Sequence, residues 1–242
     1  MATPAQNKKN IQKNKRSIFE VEAKVTANRA KAYATRSLIE ENRASILKNY
    51  TAAFMGNRQL ANQNTDDIFR NRKAVLSNMP TKNEVEENFV QSMINEANLD
   101  FLEHRAGLNA AVLGVNDKMV KANALLIEIN DAIMAANEGI VRFNAKEIAK
   151  NTEILNGKVK PSSATPAKNA ARVKKNASRG AEVAKKANAN SKKMDSLAVS
   201  MQANRKRIEK NAEKIMDRRA NILKNASNIK KNQERVAKYI SS

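Results

Sequence analysis

Apolar residues recur at every seventh position through most of the chain, and a second seven-residue row beside them is occupied by asparagine. Between 116 and 151 the amide stands at Asn116, Asn123, Asn130, Asn137, Asn144 and Asn151, alongside Val120, Ile127, Met134, Val141 and Ile148. We label the apolar row a and the asparagine row d. The pattern extends back to Val85 and to Asn88, Asn95 and Asn109, with Leu102 interrupting the d row. A later stretch repeats it, with Val173, Met201, Ile208, Ile215, Ile222 and Ile229 at a and Asn204, Asn211, Asn225 and Asn232 among the d residues. An earlier stretch sets Ile11, Ile18, Val25, Ile39 and Ile46 against Asn14, Asn28, Asn42 and Asn49, with Val21 and Thr35 as interruptions. One extra residue near Gly56 then shifts the frame, and Asn57, Asn64, Asn71 and Asn78 continue it. Of 33 asparagines, 24 fall on this row, where random placement on a heptad puts about one in seven, roughly five. A 3.5-residue period held this long predicts long helices in a left-handed supercoil.

Sparse punctuation divides the pattern into three. Thr3-Pro4-Ala5-Gln6 reads as a helix start, with Thr as N-cap and Pro in the first turn. Pro80 stops that helix, and Thr81-Lys82-Asn83-Glu84 reads as a capping box for the next. Asn156-Gly157 is a C-terminal stop, KVKPSSATPAK a linker, and Thr165-Pro166 a second Thr-Pro start. Helices are predicted at 4–78, 82–156 and 166–240, joined by a linker at 157–165, each roughly 110 Å long at about 1.5 Å per residue. The expectation is an all-α chain: a single helical domain over 1–242, in which three antiparallel helices of about 75 residues form an elongated up-down-up coiled-coil bundle with Asn at d.

Asparagine on a seam raises a hydrogen-bonding problem, because a buried amide must satisfy two donors and two acceptor lone pairs. In an interior ladder, built from Asn88, Asn95, Asn109, Asn116, Asn123, Asn130, Asn137, Asn144, Asn151, Asn204, Asn211, Asn225 and Asn232, amides would bond across helices or to trapped water or an anion such as chloride. Alternatively the seam of the third helix centres on a, with Ala170, Ala177, Ala184, Ala198, Ala212 and Ala226 at e, and Asn is a wet shoulder. A third arrangement is an outward array that orders water or a repetitive ligand.

The second helix carries a further apolar stripe without asparagine: Leu108, Val112, Val115, Met119, Leu126, Ile129, Ile133, Ile140 and Phe143. It either packs on a neighbouring helix of the same chain or meets another copy, because a long exposed apolar strip is unusual on a soluble monomer. Phe19, Tyr33, Leu47 and Phe54 form a weaker stripe on the first helix.

Charge sharpens the division. Residues 1–80 carry 15 basic and 6 acidic side chains, residues 81–157 carry 7 and 12, and residues 158–242 carry 23 and 6. An acidic helix between two basic ones favours the hairpin order. The surplus on the third helix, densest at Lys174, Lys175, Arg179, Lys185, Lys186, Lys192 and Lys193, attracts an anionic partner: nucleic acid, acidic protein or polysaccharide. Aromatic stacking platforms and nucleic-acid-binding motifs are missing, so such binding would rest on phosphates and fall with salt.

Composition agrees with helices. Aromatics are 4%, Gly 6, Pro 4, and Trp and Cys are absent, which leaves no disulfide scaffold and no thiolate chemistry. The single His104, the diverging acidic pairs Glu40-Glu41, Asp66-Asp67 and Glu86-Glu87, and the lack of a glycine-rich phosphate loop supply no catalytic constellation. Neither a membrane span nor a signal core is expected, so the location is cytoplasmic by default, with leaderless export to a surface assembly as the alternative. In composition alone, 168–193 resembles the basic tails of chromatin-type proteins and stress-associated helical repeat proteins, neither of which carries an asparagine heptad. The sequence therefore points to a non-enzymatic, cofactor-free structural protein that self-associates, with sequence-independent polyanion binding as the alternative.

Overall fold

The structure is a computed structural model that describes residues 2–241, and all its regular elements are helical. The first predicted helix is continuous but contains three parts: α1 (Pro4–Thr51), a π-helical segment (Ala52–Asn57) and α2 (Arg58–Ser77). The second is α3 (Glu84–Leu155). The third is α4 (Pro166–Ser241), preceded by a short 3-10 turn at Pro161–Ser163.

The boundaries follow from local chemistry. Thr3 Oγ1 accepts from the Gln6 amide at 3.2 Å, and Thr165 Oγ1 accepts from the Lys168 amide at 3.2 Å. Each hydroxyl satisfies one of the orphan donors of a first turn, and a proline that needs no donor follows it. α3 starts two residues later than predicted, because Asn83 is its N-cap: Asn83 Oδ1 accepts from the Glu86 amide at 3.0 Å. Glu86 reaches back to the amide of Lys82, the residue before the cap, at 2.7 Å, so a variant of the capping box stands two residues along from Thr81. At the other end Gly157 has φ +74°, Lys158 N–H donates to Glu153 C=O and Gly157 N–H to Ile154 C=O. That is a Schellman stop, which needs a residue without Cβ penalty at Gly157.

The chain divides into two compact units. One comprises residues 1–59 and 160–221, and within it α1 lies along α4. The other comprises 60–159 and 222–242 and holds α2, α3 and the end of α4. In the second unit α2 meets the start of α3 through Phe69 against Phe101, with ring centroids 5.1 Å apart, and through Arg72 to Asp100 at 3.0 Å. Arg105 pairs with Asp66, and each arginine also lies over a ring of this pair. Partner numbers fall on α3 as they rise on α2, so these two segments run in opposite directions. Leu76 and Ala97 are buried here.

Candidate functional surfaces

The first unit is joined by a repeated bond. Asn7, Asn14, Asn28, Asn42 and Asn49 of α1 each donate from Nδ2 to a backbone carbonyl of α4: Pro166, Val173, Ala187, Met201 and Ile208, at 2.7–3.0 Å. Donor and acceptor are always 159 residues apart, so the two helices run parallel in fixed register. Asn57 donates to the Ile215 carbonyl at 2.8 Å with a separation of 158. In the second unit Asn64 of α2 donates to the Ile222 carbonyl at 2.9 Å, also with 158.

The extra residue is absorbed between Asn49 and Asn57. Ala52–Asn57 is the π segment, one residue wider than an α turn. Without it, every asparagine beyond Gly56 would rotate about 100° off the seam. The frame shift read near Gly56 is this bulge, and the row begins one heptad earlier than the sequence reading placed it, at Asn7.

A helical carbonyl already accepts from the amide four residues on, but it keeps a second lone pair. The Asn amide uses that lone pair, so no helical bond is lost. Only Nδ2 fits there, since Oδ1 would face another oxygen. Reach depends on close helices. α4 presents its a residues and small e residues such as Ala170, Ala184, Ala198 and Ala212 as the partly buried seam, with Ala187 and Ile208 buried. Where Val21 replaces Asn, opposite Gly180, the seam opens into a groove of about 630 Å³. Asn57 Oδ1 is a buried side-chain oxygen without a hydrogen-bond partner.

This corrects the expected ladder. Asn88, Asn95, Asn109, Asn116, Asn123, Asn130, Asn137, Asn144 and Asn151 are exposed on α3, and Asn204, Asn211, Asn225 and Asn232 are exposed on α4. On α4 the shoulder arrangement holds, because a and e carry the seam and leave d to water. The donors are on the first helix, and their acceptors are main-chain atoms rather than other amides. The a row of α1, expected on that seam, is also exposed at Ile11, Ile18, Val25, Ile39 and Ile46, because α1 turns its d row to α4.

Of the apolar stripe on α3, Leu108 and Val112 are half-buried. Val115, Met119, Leu126, Ile129, Ile133, Ile140 and Phe143 are exposed. The neighbouring a row is open too: Val120 is 67% and Val141 65% exposed. From 113 to 155 every residue of α3 except Glu147 is exposed.

The basic cluster Lys174, Lys175, Arg179, Lys185, Lys186, Lys192 and Lys193 is exposed along α4. Lys186 pairs with Glu182 at 2.8 Å, and this hydrogen bond, with its charge, holds the Glu182 carboxyl below its ordinary pKa. Among the described residues no group of three His, Cys, Asp or Glu is placed to hold a metal ion, and no helix is long and apolar enough to cross a membrane. No family model, no curated protein and no solved structure matches the chain.

Proposed function

We propose that this chain is a non-enzymatic assembly protein: a basic three-helix coiled coil, running up, down and up, that associates with its own copies into a filament, sheath or scaffold. The observation that carries the reading is the stretch 113–155 of α3, where two apolar rows stand open side by side. Monomeric proteins rarely expose contiguous apolar patches above a few hundred Å². Helix-borne apolar rows are held in place by tertiary or quaternary burial more than by intrinsic propensity. The exposed asparagines of α3 and α4 belong to the same reading. The donor chemistry used by α1 is available on them for a neighbouring helix.

Multi-angle light scattering and negative-stain microscopy at physiological salt test it. Particles larger than one chain support the proposal, and a monomer at every concentration up to about 100 μM removes it, since a physiological self-association reads near a micromolar Kd or tighter.

A second reading is sequence-independent polyanion binding, favoured by the basic cluster, in which Lys186 alone is paired with an acidic side chain. Mobility shifts with DNA and RNA at low salt, lost steeply between 50 and 200 mM, would support it; no shift at low salt would remove it.

A further inference from the structure

α3 is not the only helix with an open apolar face. α1 turns its asparagine row to α4 and leaves Ile11, Ile18, Val25 and Ile46, with Tyr33 and Leu47 beside them, exposed. The two faces match in length. One runs over 11–47 and the other over 112–148, each about 55 Å of helix.

They differ in charge. Within 11–47 α1 carries 8 basic and 4 acidic side chains, and within 112–148 α3 carries 4 and 5. Pairing α1 with a second α1 would bring two basic faces together, a repulsion that the nearly balanced α3 face avoids. The open side of α4 carries lysines and arginines without an apolar row. Roughly ten large side chains on the α3 face, each burying on the order of 80 Å², give about 800 Å² on one partner. That is the per-partner area of a standard stable interface.

We propose that the α3 face of one copy docks on the α1 face of a second copy. This rests on the assembly reading above and names its contact. Each copy offers both faces, so two copies can satisfy each other reciprocally in an isologous dimer, or many can add head to tail in succession through heterologous contacts. The surplus basic charge of the α1 face selects the α3 face over a second α1 face.

The chain contains no cysteine, so single thiols report cleanly. Ala32→Cys and Ile129→Cys place one thiol near the middle of each face, where the readout is insensitive to helix direction. The two full-length variants, one tagged for size, are mixed at physiological salt and treated with a short bismaleimide. The expected result is a tagged–untagged dimer several-fold more abundant than the dimers from either variant alone. Dimers formed mainly between like variants, or no cross-link, would overturn the pairing. A chain carrying both cysteines that links only within itself would show that its own α1 covers α3, and would overturn it too. If light scattering shows assemblies of the parent chain and the mixed dimer fails, the pairing falls while the assembly reading stands. If the parent chain is monomeric, both fall. Ile129→Lys, at an exposed position, provides the independent check: helicity unchanged and mixed assembly lost.

Discussion

Asn42 shows what one amide contributes. It is 7% exposed, and its Nδ2 lies 3.0 Å from the Met201 carbonyl. Asn42→Ala removes the donor but leaves a carbonyl that keeps its helical bond, so the expected cost is about 0.5–1.5 kcal/mol. Asn42→Asp is expected to cost more, because a carboxylate oxygen would face the carbonyl oxygen with no proton between them. Urea denaturation of the two variants checks the order. Equal losses would mean that the amide contributes only volume. Val21→Asn is the converse test: it restores a donor opposite the Gly180 carbonyl at the same 159-residue separation and should stabilise, read as a higher urea midpoint.

At the scale of the element, the π segment makes a sharp prediction. Deleting Met55, an exposed residue inside it, returns Asn49 and Asn57 to seven-residue spacing in an ordinary α-helix. The melting temperature should hold or rise. Deleting Lys31 instead turns everything on one side of the cut by about 100° and takes Asn7, Asn14 and Asn28 off the seam; the melting temperature should fall by several degrees. Circular dichroism melts distinguish the two. Gly157→Ala tests the stop of α3: at φ +74° an added Cβ costs about 1–2 kcal/mol.

Element ends were the legible part. Thr3, Thr165, Pro80 and Gly157 mark them because caps and stops are local, and the residue added near Gly56 was visible as a frame shift. The start of α3 moved because Asn83 competes with Thr81 as a cap, and sequence alone does not rank the two. The facing of each row was less legible. A heptad states which residues share a side, but not which side meets which helix. Asparagine bonded to main-chain carbonyls leaves no polar partner row in the sequence to find. Its one trace was the alanine row at e on α4, where small side chains let the backbone come close. Ile11 and its row are as apolar as any seam, so composition did not reveal that they remain open.

For the whole molecule, nearly all of the net charge of +21 falls on the first unit, and there like-charge repulsion opposes the fold. α1 and α4 are both basic and lie together in the first unit, where Lys31–Asp195 and Arg205–Glu41 are the cross-helix ion pairs found. Screening should therefore help: raising salt from 10 to 150 mM shortens the Debye length from about 30 to 8 Å. The melting temperature should rise over that range. A fall would show that ion pairs outweigh repulsion.

Because the amides grip main-chain oxygens, the two sides of the α1–α4 seam differ in how freely they can vary. Pro166, Val173, Ala187, Met201 and Ile208 all serve as acceptors although their side chains have little in common. Saturation mutagenesis should find those sites permissive toward other small or aliphatic residues, while each replacement at Asn14, Asn28, Asn42 or Asn49 loses a cross-helix bond and costs about 0.5–1.5 kcal/mol or more. Half of this interface is thus written in a code that any well-formed helix already possesses, and mutational drift is borne by that half.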